Sequence, residues 1–379
     1  MKWKIPLFKI YWDEEDVRLV SEVIRRGMYW AIGPEIEEFE NLISEYIGVK
    51  YCTVFNSGTS ALHAALLAHE VGEGDEVIVP SFTFIATANA PLFVGAKPIF
   101  ADIEEETFGL DPEDVKEKIT KKTKAIIPVH YAGCPCFIKE LKEIAEDFNL
   151  ILIEDAAEAF GAKVKEKKVG TFGNSAMFSF CANKVITTGE GGAIVTNSKN
   201  LYEKLKLIRS HGRVDKGNYF SSTEKMDYIS LGYNLRMSNI TASLGIAQLK
   251  KIDKIIEMRR KNVEYMSKEL SKIKGIVIPE VHKDFFHVYQ MYTIKVNEGK
   301  EKRNELMNYL KSKGIMTKIY FSPIHLTEFY RKKFGYKEGE LPATEKISKE
   351  VLTLPMYPLL KKNEMDYITR EINEFPENE

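Results

Sequence analysis

The sequence predicts an α/β protein in which a large domain with a mostly parallel β-sheet precedes a smaller C-terminal α+β domain. Between residues 50 and 200, short runs rich in β-branched residues alternate with patterns typical of amphipathic helices. Most of these runs are continuously apolar, as expected for parallel strands that helices cover on both faces. After Arg236 the pattern changes to a long helical stretch, which marks the passage to a second domain.

The candidate strands of the large domain are seven apolar runs: CTVF, EVIVP, KPIFADI, KAIIPVHYAG, LILIEDAAEAFGA, AMFSF and GAIVTN. Three stretches between them carry apolar residues at spacings of three and four, which predicts helices that cover the sheet. These stretches are ALHAALLAHEV after Ser57, PEDVKEKI after Asp111 and FIKELKEIAEDFN before Leu150. Helices therefore separate several of the strands in this region.

The C-terminal part begins with one or two long helices in MSNITASLGIAQLKKIDKIIEMRRKNVEYMSKELSKI, which carries an apolar stripe and an exposed Lys/Glu face. The segments that follow are IVIPE, HVYQMYTIKV, a helical NELMNYLKSKG and MTKIYF. This mixture is typical of a small α+β domain. We therefore expect a large domain over residues 1–245, including an N-terminal arm, and a small domain over residues 246–379 with its linking helix.

The charge balance argues against a polyanionic partner. Fifty-four Lys and Arg face fifty-five Asp and Glu, so the formal net charge of −1 gives no field that favours nucleic acid or an anionic membrane. Acidic residues precede any apolar stretch at the start of the chain, and no run approaches the ~18 apolar residues that span a bilayer. We expect a cytoplasmic protein.

The cysteines are too few and too unevenly spaced for a disulfide framework: Cys52, Cys134, Cys136 and Cys181. We expect free thiols. The pair at 134 and 136 lacks a second Cys/His pair at zinc-ligand spacing, so no metal site is expected.

The first candidate functional motif is NSGTSALHAALLA, at residues 56 to 68. It places Gly58, Thr59 and Ser60 between a predicted strand and a helix that we expect to begin near Ala61. Unpaired backbone N–H groups and the macrodipole at a helix start favour an anion such as a phosphate, and the hydroxyls add donors. Because Ser and Thr are also ordinary capping residues, this motif alone leaves plain capping open.

The second motif, LILIEDAAEAFGA, is a buried strand that ends with Glu154 and Asp155. Ligand-contacting groups gather at the carboxyl ends of such strands. A carboxylate there can pair with a cofactor's ring nitrogen, and the small Ala156 and Ala157 leave room for a flat ring. A capping role for Asp155 is the alternative.

The third motif, AMFSFCANKVITTGEGGAIVTN, contains Lys184 between an apolar strand and a glycine-rich turn at residues 189–192. Most lysines are solvated, but this one follows Phe178 and Phe180 in a short loop. Partial desolvation there disfavours the ammonium form and makes the amine nucleophilic. Ser179 supplies a further hydroxyl.

One cofactor explains all three motifs, because pyridoxal phosphate (PLP) combines a phosphate, a protonatable ring nitrogen and an aldehyde that condenses with lysine. In this interpretation the aldehyde forms an imine with Lys184. Asp155 keeps the ring nitrogen protonated, and the turn at residues 58–60 anchors the phosphate.

The chain also resembles the sugar aminotransferases of the DegT/DnrJ/EryC1/StrS family. The resemblance runs through nearly the whole sequence, in the ordered motifs IGPEIEEFE, NSGTSAL, PSFTFIATANA, EDAAEAFG, FSFCANKVITTGEGG, GYNLRMSNI and LPMYP. It implies the fold-type I architecture of PLP-dependent transferases, similar to aspartate aminotransferase, with a mostly parallel seven-stranded sheet in the large domain.

The resemblance implies roles at the reacting end of the cofactor. Lys184 would hold the cofactor as an imine and then move the proton between substrate carbon and cofactor, while Asp155 would pair with the pyridinium nitrogen. Phe84 occupies the position of an aromatic residue that stacks on the pyridine ring, with a plain core position as the alternative. At Glu158 many relatives have Gln or His beside the phenolic oxygen, so this carboxylate would be protonated, point away or bind through water.

The resemblance also implies a phosphate site and a subunit contact. Thr59, Ser60 and Ser179 would bind the phosphate together with the Gly58 backbone. Asn234 of GYNLR would reach that phosphate from the neighbouring subunit, which implies a homodimer with active sites at its interface.

Three residues are candidate substrate contacts. Tyr320 and His325 of TKIYFSPIHL align with a segment that lines the substrate cleft in relatives, although a structural histidine is an open alternative. Trp30 is either a contact with the sugar nucleotide or part of an interface.

The function implied is transfer of an amino group from L-glutamate to a nucleotide-linked keto sugar. The motif FSFxANKxITTGEGG is most similar to enzymes that act on 4-keto-6-deoxyhexoses, including perosamine synthases. Cyclitol or other ketone aminotransfer remains an alternative. Sugar dehydrases of the family carry histidine where this chain has Lys184, and a non-catalytic regulator has no use for a reactive lysine.

Overall fold

The fold is described from a computed structural model, which covers residues 3–214 and 226–376. In those residues the β-strands are β1 (Tyr51–Phe55), β2 (Glu76–Pro80), β3 (Lys97–Ala101), β4 (Thr123–Ile126), β5 (Ile151–Asp155), β6 (Lys163–Val164), β7 (Lys167–Lys168), β8 (Ser175–Ser179), β9 (Gly192–Thr196), β10 (Arg213–Val214), β11 (Asp227–Tyr228), β12 (Ile276–Val277), β13 (Phe285–Phe286), β14 (Tyr292–Val296) and β15 (Val351–Leu354).

The α-helices in the same residues are α1 (Glu14–Arg26), α2 (Pro34–Ile47), α3 (Gly58–Ala68), α4 (Ile85–Phe93), α5 (Pro112–Lys118), α6 (Ile138–Asp147), α7 (Lys199–Arg209), α8 (Asn239–Leu249), α9 (Ile252–Leu270), α10 (Gly299–Ser312), α11 (Glu328–Phe334), α12 (Pro342–Glu350) and α13 (Lys362–Asn373). No helix there is long and apolar enough to cross a membrane.

The large domain is built on a seven-stranded sheet in the order β1-β9-β8-β5-β4-β2-β3. Only β9 runs antiparallel to its neighbours, β1 and β8, whereas the other pairs are parallel. Each of the seven predicted runs contains one of these strands. The α/β prediction with a mostly parallel sheet is confirmed.

Helices cover both faces of this sheet, which is why its strands are continuously apolar. On one face α2, α8 and the start of α9 pack with residues such as Phe39 and Ile255 in one core cluster. On the other face α3, α4 and α7 contribute to a second cluster around Leu62 and Leu205. The carboxyl ends of β5 and the neighbouring β8 meet at one sheet edge, where α3 also begins.

The small domain has an antiparallel sheet in the order β12-β14-β15. Its core, which includes Tyr292 and Leu352, also takes in Ile5 from the N-terminal segment. Ile5 bridges to Ile315, and the carbonyl of Leu7 accepts a hydrogen bond from the Met356 N–H. The N-terminal segment therefore packs on the C-terminal part of the chain.

The predicted domain boundary between residues 245 and 246 falls inside α8. The helical stretch after Arg236 is interrupted at residues 250–251, so it forms the two helices α8 and α9. The division of the chain at 245/246 stays a prediction. The MTKIYF segment does not form a strand of its own, and in the described residues its Lys318 bridges to Thr353 of β15.

Candidate active site

A cavity of about 440 Å³ lies at the carboxyl ends of β5 and β8, where the start of α3, the start of α4 and a small-domain segment converge. Eight of the residues singled out from the sequence line it: Gly58, Thr59, Phe84, Asp155, Glu158, Ser179, Lys184 and Tyr320. A larger cavity of about 970 Å³ follows α9 and contains none of them.

The turn after β1 presents a helix start to this cavity. The helix α3 begins at Gly58, three residues earlier than expected, because the Ser57 side chain caps it by accepting a hydrogen bond from the Ser60 N–H at 3.1 Å. Gly58 and Thr59 lie in the first turn, where backbone N–H groups have no partner within the helix. The arrangement favours an anion in the cavity.

Two glycines allow the helix start to approach the strands closely. A Cβ at Gly58 would lie 3.2 Å from Met177 Sδ and 3.3 Å from Ser179 Oγ, closer than side chains ordinarily pack. A Cβ at Gly192 would lie 2.5 Å from the Ser57 carbonyl oxygen. Ser179 and the start of α3 therefore form one cradle, in which a hydroxyl and backbone N–H groups can share a phosphate.

Asp155 ends β5 and is only 3% exposed. Its Oδ2 accepts a hydrogen bond from Thr87 Oγ1 at 2.8 Å, and its Oδ1 accepts one from the Ala157 N–H at 3.1 Å. Burial raises the pKa of Asp155, while these hydrogen bonds and the positive charge of Lys184 act in the opposite direction. A buried carboxylate at a strand end can pair with a cationic ring nitrogen.

Its neighbour Glu154 has a structural role. Adjacent strand residues point to opposite faces, so Glu154 turns away from the cavity. Its carboxylate lies 3.1 Å from His130 Nε2 and accepts hydrogen bonds from the N–H groups of Gly170, Phe172 and Gly173. Glu154 thus fixes the loop between β7 and β8.

Lys184 and Glu158 meet inside the cavity. Lys184 Nζ lies 3.5 Å from Glu158 Oε1, and their side chains are 14% and 8% exposed. Glu158 Oε2 accepts a hydrogen bond from the Ala132 N–H at 2.8 Å. None of the three arrangements expected for Glu158 describes this contact, since the structure directs its carboxylate at the lysine and at a backbone donor.

An aromatic wall completes the cavity. Phe84 is the N-cap residue of α4 and remains 58% exposed, although it lines the cavity. Its ring centroid lies 6.5 Å from that of Phe321 in the small domain. An exposed aromatic ring at a cavity is suited to stack on a flat ligand, and the exposure does not fit a plain core position.

Four predicted site residues lie outside this cavity. Ser60 bonds instead to Ser57, with 2.9 Å between their hydroxyl oxygens. Asn234 forms a backbone bridge to Ser210 and is not among the residues that line the cavity. Trp30 donates its indole N–H to the Val23 carbonyl at 3.1 Å.

His325 is the fourth of these residues, and it is 0% exposed. Its Nδ1 lies 2.7 Å from Ser81 Oγ and its Nε2 lies 3.2 Å from Glu345 Oε1. With both ring nitrogens engaged inside the fold, His325 does not contact the cavity. His325 is therefore a structural histidine, the alternative that the sequence left open.

Two residues that matter for the cavity were not singled out from the sequence. Thr87 holds Asp155 and lies one helical turn after Phe84, a spacing that could have flagged it. Lys318 also lines the cavity, two residues before Tyr320 in an extended segment, where alternate residues share a face.

The chemical groups that line the cavity fit PLP. The cradle that a Cβ at Gly58 would crowd can take the phosphate, the buried Asp155 carboxylate can pair with the ring nitrogen, and Lys184 supplies an amine for the aldehyde. Among the described residues no group of three or more His, Cys, Asp or Glu side chains could hold a metal ion.

Comparison with known proteins leads to the same chemistry. The DegT/DnrJ/EryC1/StrS aminotransferase family model matches residues 11–373. The GDP-perosamine synthase of Escherichia coli O157:H7 is 39% identical over 371 residues, which make up 98% of each chain.

Solved structures also superpose over nearly the whole chain. DesV of S. venezuelae, solved in complex with a ketimine intermediate, has a TM-score of 0.90 at 30% identity and covers 100% of both chains. The putative sugar aminotransferase Spr1654 of Streptococcus pneumoniae, in its PLP-form, has a TM-score of 0.90 at 28% identity and covers 98% of this chain and 97% of that chain. The chain therefore belongs to the DegT/DnrJ/EryC1/StrS aminotransferase family and is a PLP-dependent sugar aminotransferase of fold-type I.

Proposed function

We propose that the enzyme transfers an amino group from L-glutamate to a nucleotide-linked keto sugar, of the 4-keto-6-deoxyhexose type, with Lys184 as the residue that carries the cofactor. The observation that carries this proposal is the meeting of Lys184, Asp155 and the Gly58 cradle in one cavity. An amine, a buried carboxylate and an anion site are the three groups that PLP requires.

When bound, PLP supplies an aldehyde carbon that accepts the amino group and a cationic ring that withdraws electrons from the substrate carbon. The residues of the chain hold it in place. Asp155, oriented by Thr87 and by the Ala157 N–H, keeps a negative charge beside the ring nitrogen. Gly58, Thr59 and Ser179 would hold the phosphate, and Phe84 would lie against the ring.

Lys184 moves the proton in this mechanism. With the cofactor bound, its amine would act as the base that takes a proton from the substrate carbon and holds it, which is general acid–base catalysis by a positioned group. Glu158, 3.5 Å away and fixed by the Ala132 N–H, holds the protonated amine within the cavity. Because Glu158 and Lys184 are both largely buried, their attraction is screened less than that of a surface pair.

The sugar class rests on the relatives and on one motif. The Escherichia coli relative is named for GDP-perosamine, a nucleotide-linked amino sugar. The motif FSFCANKVITTGEGG surrounds Lys184 in this chain and resembles that of enzymes for 4-keto-6-deoxyhexoses. Tyr320 of the small domain also lines the cavity and is the candidate contact for the sugar.

We also propose that the working enzyme is a homodimer. Asn234 is exposed and is not among the residues that line the cavity of its own chain, which leaves its side chain available to a second copy. Exposed Ile229 and Leu231 near it offer apolar surface for such an interface.

The experiment is a transfer assay with ¹⁵N-labelled L-glutamate and a panel of nucleotide-linked keto sugars, together with a cyclitol ketone. We expect mass spectrometry to find the label in an amino sugar and one 2-oxoglutarate per amino group. Lys184→Ala should abolish transfer, whereas Lys199→Ala, a change of an exposed lysine on α7, should not. Labelling of the cyclitol alone, or loss of a hydroxyl without labelling, would contradict the proposal.

A further inference from the structure

We propose that Lys318 binds the α-carboxylate of the amino donor and so selects α-amino acids in the first half of the reaction. This inference rests on the proposed function, since it concerns the donor in that same cavity. The carboxylate lies one bond from the carbon that bears the amine. An amine that reacts beside Lys184 therefore brings its carboxylate into the cavity as well.

Hydrogen bonds to the backbone of Lys318 and of Tyr320 hold this segment in place at the cavity. Its N–H donates to the Thr353 carbonyl at 3.1 Å, and its carbonyl accepts from the Thr353 N–H at 2.8 Å, which fixes it to β15. Two residues later, the buried Tyr131 of the large domain donates its hydroxyl to the Tyr320 carbonyl at 2.5 Å. The segment is thereby positioned before any substrate arrives.

Among the charged side chains that line the cavity in the described part of the chain, Lys318 is the one that can receive a second anion, in addition to the phosphate at the start of α3. Three carboxylates line the cavity, those of Asp155, Glu158 and Glu190, and all of them repel a donor carboxylate. The positive charge of Lys184 is already paired with the Glu158 carboxylate.

Lys318 forms no ion pair within the described part of the chain. Its Nζ lies 4.6 Å from the centroid of the Tyr320 ring, a contact that leaves its three donors able to bind oxygen atoms. It is also exposed, as expected of a group that an entering substrate must reach.

The donor and the acceptor differ in where they carry their negative charge. In an α-amino acid the carboxylate adjoins the reacting carbon. In a nucleotide-linked 4-keto sugar the diphosphate is attached to carbon 1, so the sugar ring separates it from the reacting carbonyl. A cation on the wall of the same cavity as Lys184 therefore matches the donor, and the diphosphate must lie farther out.

The test measures the two half-reactions of the holoenzyme separately in Lys318→Met. Binding of α-methyl-L-glutamate, which cannot complete transfer, is measured by calorimetry. The first half-reaction is followed by loss of the visible cofactor band with L-glutamate and with 4-aminobutanoate, which lacks an α-carboxylate. The second is followed with the aminated enzyme and the keto sugar.

We expect Lys318→Met to weaken binding of α-methyl-L-glutamate about tenfold, because a hydrogen bond to a charged group is lost. The reaction with 4-aminobutanoate and the sugar half-reaction should stay within about twofold, and Lys318→Arg should retain most of the affinity. Lys311→Met, an exposed lysine of α10, is the matched control and should behave as wild type.

Three results would overturn the inference. Unchanged affinity for α-methyl-L-glutamate would show that Lys318 does not bind the carboxylate. A loss confined to the sugar half-reaction would assign Lys318 to the diphosphate instead. If none of the α-amino acids causes loss of the cofactor band in the wild-type enzyme, the proposed function fails together with this inference. That outcome can be told apart from the others because the variant and the wild type then behave alike.

Discussion

The side-chain amide of Gln290 donates a 3.0 Å hydrogen bond to the carbonyl oxygen of Asn183, the residue immediately before Lys184. Gln290 lies just before β14, so this bond connects the small domain to the turn that carries the lysine. Arg259, which is buried on α9, donates to the carbonyls of Tyr289, Gln290 and Met356 and fixes Gln290 from the other side. The turn of Lys184 is therefore held by a contact 107 residues away in the chain.

Gln290→Met is expected to loosen the Lys184 turn without changing any group that touches a substrate. Methionine has a similar volume but cannot donate to the Asn183 carbonyl. We expect kcat to fall roughly tenfold with KM little changed, since a displacement of a catalytic group slows chemistry more than binding. The visible cofactor band should also titrate at a different pH than in wild type.

The matched control for this variant is Gln248→Met, which changes the other glutamine of the chain. Gln248 is also buried, and its amide donates to the Tyr11 carbonyl at 2.9 Å and to Asp16 at 2.8 Å. It should lower thermal stability but leave the band titration unchanged. Equal spectra for the two variants would mean that the Gln290 contact is structural only.

Thr87→Val is expected to weaken the negative charge beside the cofactor ring. Burial already raises the pKa of Asp155, and the Thr87 hydroxyl is one of the groups that lower it. Removing that 2.8 Å bond raises the pKa further, so a larger fraction of the carboxyl is neutral at a given acidic pH. The acidic limb of the kcat/KM profile should therefore move to higher pH.

A pH profile of kcat/KM between pH 5 and 9 checks this expectation. Activity at neutral pH should fall roughly tenfold, the worth of one hydrogen bond to a charged group. Thr87→Ser keeps the hydroxyl and should restore the profile of wild type. A Thr87→Val profile that is lower but not displaced would argue that Thr87 serves packing alone.

The sequence located the strands and the catalytic cavity because both depend on local pattern. Continuous apolar runs placed all seven strands, and Asp155 and Lys184 were found because they end or follow such strands. The predicted start of α3, near Ala61, was wrong by three residues. The helix begins at Gly58 because the Ser57 side chain caps it there. The period of two along β5 directs Asp155 towards the cavity and Glu154 away from it.

Contacts between distant parts of the chain could not be predicted in this way. Thr87 and Asp155 are 68 residues apart, and their hydrogen bond exists only because α4 starts beside the end of β5. His325 and Lys318 lie in one short segment, yet His325 packs inside against Ser81 while Lys318 lines the cavity. Which of the two faces a substrate depends on tertiary packing, and a single sequence carries no signal for it.

Gly58→Ala is expected to weaken cofactor binding. The added methyl group would lie 3.2 Å from Met177 Sδ and 3.3 Å from Ser179 Oγ, so the start of α3 must move away from Ser179. We expect the dissociation constant for PLP to rise about tenfold or more, because overpacking typically costs ~1–3 kcal/mol. Gly72→Ala is the control, since its Cβ would lie at an ordinary 3.8 Å from the Val94 carbonyl oxygen. Equal PLP affinity in both variants would contradict a phosphate cradle at Gly58.

Two histidines, the partly buried His69 and the buried His287, are expected to make the fold less stable in acid. Burial lowers the pKa of His69 from 6.5 to about 4 and that of His287 to about 3. Below pH 6.5 the unfolded chain therefore binds protons that the folded chain does not, and stability falls as the pH drops towards 4, by at most ~1.4 kcal/mol per pH unit for each histidine. In His69→Gln the thermal midpoint, scanned at one rate between pH 7.5 and 5, should fall less steeply than in wild type. His211→Gln, at an exposed position, is the control and should follow wild type. Parallel curves of thermal midpoint against pH for all three proteins would show that the charging of His69 does not limit stability.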